Sequence, residues 1–190
     1  MKSVKKILAL AALATFMVLG AVETTHAVDW VVGGNDLGGT GYLGSNAGYE
    51  YPVYLKVDGQ VAYRWLPDDT VPNIVGGESI NEIKDSAYGA AICGGGYDSP
   101  SGTDYPNVVA DNYGFVGGGR GNQAGTWDYS ASSHPYATAC GGYGNGAWAS
   151  YSFVGGGYDN IVDIENAGGT ICGGYNNDIT DDAGTVCGGQ

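Results

Sequence analysis

The chain has 190 residues and a formal net charge of −13, with 20 acids against 7 Lys and Arg. That balance argues against a nucleic-acid surface, which needs Lys and Arg on the phosphates. The 36 glycines follow no three-residue period, which excludes collagen, and 15 Tyr with 4 Trp are too many aromatics for a disordered chain.

Residues 1–27 read as a secretory signal peptide. Lys2, Lys5 and Lys6 precede an apolar run from Ile7 to Val22, and Thr25 and Ala27 supply small residues at a cleavage position. The run is short and broken by Thr15 and Gly20, which disfavours a membrane anchor. The expectation is export to an extracellular or cell-surface location, with no transmembrane segment in the mature chain.

Residues 28–70 form an N-terminal β lead-in. Trp30, Gly33-Gly34-Asn35 and Gly39-Thr40 come first. Val53 to Val57 then reads as a strand, Asp58-Gly59 as a hairpin turn and Val61 to Leu66 as the return strand.

Residues 71–190 are repetitive. A small or apolar residue, an apolar residue and Val or Cys precede two or three glycines, as in Phe115-Val116-Gly117-Gly118-Gly119 and Thr170-Ile171-Cys172-Gly173-Gly174. The first glycines of successive copies are 14 to 24 residues apart. Asn81, Asn122, Asn145, Asn160 and Asn177 follow the glycines, with Asn107 in the copy that carries the insertion Asp98 to Pro106. So short and glycine-rich a unit suits two brief strands and tight turns, not a helix pair. The prediction is an all-β chain: a parallel β-solenoid or β-roll preceded by the hairpin.

Alternation along a strand places Ile92, Phe115, Ala139, Phe153, Ile171 and Val186 on one side. Val75, Val116 and Val154 then share the other side with Cys93, Cys140, Cys172 and Cys187 as one structural column. Both sides are apolar, so both are expected to be buried, one of them by another copy of the chain. The recurring Asn is expected to take a second, left-handed corner. The four cysteines read as packed thiols or as disulfides within or between chains; without a Cys-x-x-Cys pair, metal ligation has little support.

Gly155-Gly156-Gly157-Tyr158-Asp159-Asn160 and Gly173-Gly174-Tyr175-Asn176-Asn177 resemble the head repeats of trimeric autotransporter adhesins, and similar arrays occur in tail-spike-like surface proteins. The resemblance covers about residues 73–190. It implies a left-handed parallel β-roll, a homotrimer and exposure on a cell surface. The chain lacks the coiled-coil stalk and C-terminal barrel segment of that family, and the repeat breaks off after Gly188-Gly189, which reads as truncation.

Tyr97, Tyr143, Tyr158 and Tyr175 each follow a glycine run and form a candidate recognition ladder. Trp127, Tyr129 and His134 lie in an insertion that reads as a candidate contact loop. Asp178, Asp181 and Asp182 are hard oxygen ligands close in sequence and stand as calcium candidates, although the nine-residue calcium-roll period is missing. A single mature-chain histidine gives no basis for a Ser-His-Asp site, and paired acids such as Asp68-Asp69 sit at turn-like positions. The expectation is a non-catalytic secreted or cell-surface fibrous protein with a structural or adhesive role and no cofactor other than calcium. Its partner would be an extracellular protein or a glycan. Two alternatives stand beside it: a tail-spike-like module that binds or cleaves glycans, and a calcium-stabilised extracellular rod.

Overall fold

The computed structural model describes residues 51–84, 86–126, 134–164 and 167–190, and a hairpin comes first among them. The predicted signal peptide, the lead-in up to residue 50, and Trp127 and Tyr129 lie outside the described residues. Strands β1 (Val53–Val57) and β2 (Gln60–Leu66) pair antiparallel. Asp58 and Gly59, with φ of 50° and 75°, make the turn predicted there. Two successive left-handed residues match the twist of the flanking strands.

From this point each turn of the chain contributes one strand to each of two sheets. The first sheet continues from β2 through β3 (Asn73–Gly76), β5 (Ala91–Ile92), β7 (Phe115–Val116), β9 (Thr138–Ala139), β11 (Phe153–Val154), β13 (Thr170–Ile171) and β15 (Thr185–Val186). The second comprises β4 (Glu82–Ile83), β6 (Val108–Val109), β8 (Gln123–Ala124), β10 (Gly146–Ala147), β12 (Ile161–Val162) and β14 (Asp178–Ile179). Beyond the antiparallel β1–β2–β3 start, the strands of both sheets pair in parallel, each with its counterpart one turn later. The described residues are all-β, contain no helix, and are compatible with a β-solenoid or β-roll.

One buried column per sheet fills the space between. Val75, Ile92, Val116, Ala139, Val154 and Ile171 face Ile83, Val109, Ala124, Ala147, Val162 and Ile179. The contact is made by branched or small side chains only. Two-residue strands leave room for little else, and β-branched residues suit a pleated surface.

The register corrects the expected faces by one residue. Val154 pairs with Ile171, and Ile171 with Val186, so the apolar residue before each cysteine is the one that enters the core. Cys93, Cys140, Cys172 and Cys187 do not share the valine column; all four are exposed free thiols. They occupy the slot that Gly76, Gly117 and Gly155 fill in other turns. Backbone bonds show this: Gly117 N–H donates to Ala139 O, Cys140 N–H to Val154 O and Gly155 N–H to Ile171 O. Phe115 and Phe153 likewise point away from Val116 and Val154, and Phe153 is exposed. A slip of one residue reverses every side chain in a strand. Aligning the copies on their glycines therefore put the thiols inside.

The asparagines are a second correction. Asn81, Asn107, Asn122, Asn145 and Asn160 are buried and none has a positive φ. The left-handed residue is the one just before, as at Gly121, Gly144, Asp159 and Asn176. The asparagines instead form a polar ladder through the core edge. Asn145 donates from Nδ2 to Gly141 O (2.8 Å) and Gly157 O (3.0 Å). Its Oδ1 accepts the backbone N–H of Asn160 (3.0 Å) and the Nδ2 of Asn160 (3.0 Å). Asn122 and Asn160 repeat the arrangement. Each side chain closes its own glycine corner and also binds the next turn, so a tight corner is buried without orphaned peptide groups.

At the N-terminal end of the second sheet, no earlier turn among the described residues supplies a backbone donor to Asn81 O. Arg64 of β2 reaches across, with Nη2 2.7 Å from Asn81 O and Nη1 3.4 Å from Ser79 O. The hairpin thus extends the first sheet and caps the second.

Candidate recognition surfaces

Two corners of each turn place side chains in rows along the stack. At the first corner the chain leaves the glycines, projects one residue outward and turns through a left-handed residue. That turn residue donates its N–H to the carbonyl of the projecting residue one turn earlier: Gly121 to Tyr105 (3.1 Å), Gly144 to Arg120 (3.1 Å), Asp159 to Tyr143 (2.9 Å) and Asn176 to Tyr158 (2.8 Å). The corner repeats in lockstep, so Tyr105, Arg120, Tyr143, Tyr158 and Tyr175 fall into one row.

The rings of this row touch. Tyr105 and Tyr143 meet edge-on at 5.4 Å, Tyr143 and Tyr158 at 5.0 Å, and Tyr158 stacks on Tyr175 at 4.9 Å with 6° between planes. Arg120 stands where the other turns have Tyr. Its guanidinium carbon lies 4.4 Å from the Tyr143 centroid, 5.1 Å from Tyr105 and 5.5 Å from Tyr97. Such cation–π contacts hold the arginine over the rings.

Of the four residues expected in the ladder, Tyr143, Tyr158 and Tyr175 occupy successive rungs. Tyr97 does not take the second-turn rung. The insertion folds back on itself, Tyr97 and Tyr105 exchange backbone hydrogen bonds of 3.2 and 2.9 Å, and Tyr105 fills the position. Tyr97 stacks beside it at 6.5 Å. Tyr143 titrates above the ordinary tyrosine value of 10.0; a hydrogen bond with Tyr105 is the main cause, then partial burial, while Arg120 acts in the opposite direction.

The opposite corner carries a second row that the sequence reading missed. Tyr88 meets Tyr113 edge-on at 5.2 Å; Tyr113 stacks on Tyr136 at 5.2 Å and 1°, and Tyr136 on Tyr151 at 5.2 Å and 13°. Tyr113, Tyr136 and Tyr151 are themselves left-handed, with φ of 56°, 65° and 59°. Each donates its N–H one turn back, to Tyr88 O, Asn112 O and Pro135 O. The signal was present: each of these tyrosines stands two residues before a first strand residue, Phe115, Thr138 or Phe153. Burial, then its neighbours Tyr88 and Tyr136, push the Tyr113 phenol upward.

The outer side of the nine-stranded sheet presents two further rows. One reads Ile74, Ala91, Phe115, Thr138, Phe153, Thr170 and Thr185; the other reads Gly76, Cys93, Gly117, Cys140, Gly155, Cys172 and Cys187. Large residues stand beside glycine and small ones beside cysteine, turn by turn.

The remaining candidates are dispersed. Asp178 lies on the outer side of β14, and Asp181 and Asp182 are exposed in the following turn. Among the described residues no three His, Cys, Asp or Glu side chains converge to hold a metal ion. His134 is half-buried, and its buried Nδ1 has no hydrogen-bond partner among the described residues. No helix among the described residues is long and apolar enough to cross a membrane. Comparison with protein-family models, with curated proteins and with solved structures finds no match to this chain.

Proposed function

We propose that this chain is an exported, non-catalytic surface protein whose stacked turns serve as a scaffold for adhesion, and that the Tyr105–Tyr175 corner row is its contact surface. In this proposal the stacked turns wind as a left-handed β-roll like the heads of trimeric autotransporter adhesins and assemble from copies of the chain. The observation that carries the reading is the row itself. Tyr158 and Tyr175 of the row are 42% and 50% exposed, Tyr97 beside it is 43% exposed, and each ring packs against a neighbouring ring. A rigid aromatic surface offers large contact area while losing little side-chain entropy on binding. Asp159 and Asn176 flank the rings with polar atoms. The chain's acidity fits a soluble or cation-rich exterior and not an anionic lipid surface.

A second reading is favoured by the same row. Exposed edges of rings spaced about 5 Å apart, with the polar side chains of Asp159 and Asn176 beside them, offer an uncharged glycan both apolar contact and hydrogen bonds. A glycan array and a reducing-end assay on the secreted protein test both readings. Adhesion to a glycan or protein surface that is lost in the Tyr158→Ala, Tyr175→Ala double variant, without turnover, supports the proposal. Retained adhesion in that variant removes the row as the contact surface, and released reducing ends remove the non-catalytic reading.

A further inference from the structure

The glycines beside the tyrosine row leave a strip of bare backbone along the stack. In each turn an asparagine side chain holds the carbonyl of one of them. Asn107 Nδ2 donates to Gly94 O (3.0 Å), Asn122 to Gly118 O (2.8 Å), Asn145 to Gly141 O (2.8 Å), Asn160 to Gly156 O (3.0 Å) and Asn177 to Gly173 O (3.3 Å). The N–H of a trans peptide points opposite to its C=O. The N–H groups of Gly95, Gly119, Gly142, Gly157 and Gly174 therefore point away from the asparagines, and these residues are exposed. Among the described residues none of these N–H groups has a hydrogen-bond partner. The peptides thus offer solvent a donor each, while their carbonyls are taken. No side chain can cover the donors from these positions: a Cβ on Gly119 would collide with Gly142 O, and one on Gly142 with Gly157 O.

We infer that this strip and the tyrosine row together bind one extended, uncharged, β-linked glycan lying along the stack axis, its oxygens accepting the glycine N–H groups. The inference rests on the glycan reading of the tyrosine row and adds the donors, the direction and the linkage. Place supports it first. Each donor belongs to the residue just before a projecting one, as in Gly119-Arg120, Gly142-Tyr143, Gly157-Tyr158 and Gly174-Tyr175, so one sugar can meet both a ring and an N–H. Spacing supports it next. The donors recur once per turn, at the ~4.8 Å separation of neighbouring strands, and the rings keep step at 5.0 and 4.9 Å. A β-1,4-linked chain of pyranoses is extended and advances by about that interval per unit. An extended peptide does not fit: its carbonyls on one side recur every second residue, at about 6.6 Å, and lose step within two turns. Charge selects the uncharged ligand. The chain has a net charge of −13, and Asp98, Asp104 and Asp159 directly follow or precede residues of this corner, so a polyanion is repelled where hydroxyl oxygens are not.

Oligomers of β-1,4-linked glucose and of β-1,4-linked N-acetylglucosamine, two to six units long, titrated into the nitrogen-15-labelled secreted protein, provide the test. The amide signals of Gly95, Gly119, Gly142, Gly157 and Gly174 should shift together. Those of Gly89 and Gly114, whose N–H groups are bonded to Val71 O and Asp111 O, should stay. Affinity should rise about threefold or more with each added unit until the strip is filled, because each unit adds a hydrogen bond. Gly94→Val is the companion variant. Its Cβ meets no atom within 4 Å and its φ is not left-handed, so the fold is kept while the side chain crowds the Gly95 N–H. It should weaken the five- and six-unit oligomers about threefold and leave the two-unit ones nearly unchanged. Binding that moves the tyrosine ring signals without the glycine amides overturns the inference and leaves the tyrosine row as the contact surface. Equal affinity at all lengths, or an equal loss at all lengths in Gly94→Val, also overturns it. So does a failure of every oligomer to bind; adhesion still lost in the Tyr158→Ala, Tyr175→Ala variant would then show that the row serves another ligand.

Discussion

Tyr158 and Tyr175 lie face to face, centroids 4.9 Å apart and planes 6° from parallel, because the turn after each ring is hydrogen-bonded to its neighbour. The N–H of Asn176 donates to the carbonyl of Tyr158, which fixes the spacing of the rings at the spacing of the backbones. Tyr158 also touches Tyr143. Tyr158→Ala therefore removes two ring contacts and should cost about 1–3 kcal/mol, taking 0.5–1.5 for each aromatic pair. Urea denaturation measures this, and Tyr158→Phe should retain most of the stability. Equal losses in the two variants would show that the hydroxyl, not the stack, matters.

The asparagine ladder should be the more sensitive element. Asn145→Ala leaves the N–H of Asn160 and the carbonyl of Gly141 without that partner, while Gly157 O keeps only its bond from the Tyr143 N–H. Each orphaned buried group costs about 1–3 kcal/mol, so a total of about 3 kcal/mol or more is expected. Asn177→Ala should cost less. Its bonds to Gly173 O and Gly189 O are longer, at 3.3 and 3.4 Å, and it is only half-buried. Comparable chemical-denaturation midpoints for the two variants would contradict the ladder.

The register makes an opposite pair of predictions for adjacent turns. A Cβ added at Gly117 would collide with the carbonyl oxygen of Cys140, so Gly117→Ala should lower stability by about 1–3 kcal/mol through strain. Cys140→Ser, at an exposed position, should change it by about 0.5 kcal/mol or less. Thermal melts of the two variants decide the matter. A large loss in Cys140→Ser would place the thiol in the core after all.

Alkaline pH should weaken the fold through the tyrosine rows. Tyr113 and Tyr143 hold their protons more tightly in the folded chain than the ordinary value of 10.0. Their contribution is fully present below that pH. It is lost as pH rises through the folded values, because the unfolded chain ionises first. Ultraviolet titration should show these phenols ionising late, and the melting temperature should begin to fall near pH 10. A melting temperature that rises across that range would contradict the direction of both shifts.

The repeat, the hairpin at Asp58-Gly59, the alternation of short strands and the regular place of the asparagines were all legible in the sequence. Glycine, Asn and Val recur there at fixed offsets that only a repeated local structure needs. The residues two beyond each asparagine, such as Ala147 and Val162, do enter the core. The cysteines were misread for a specific reason. In Phe153-Val154-Gly155-Gly156-Gly157 and Thr170-Ile171-Cys172-Gly173-Gly174 the glycine runs differ in length, and two alignments one residue apart look equally good. The second tyrosine row was obscured by the variable insertions between Tyr113, Tyr136 and Tyr151.

Composition and spacing alone determined that this chain is built from short, repeated, extended segments closed by glycine corners. Those features follow from backbone sterics and side-chain size, which act within a few residues. Which side of each strand faces inward was decided by the tertiary structure. The parallel pairing of Val154 with Ile171 sets that choice, and the backbone hydrogen bonds between turns enforce it. The same inter-turn bonding turned scattered tyrosines into rows and scattered asparagines into a buried ladder, because neighbours in a stack are defined by register and not by distance along the chain.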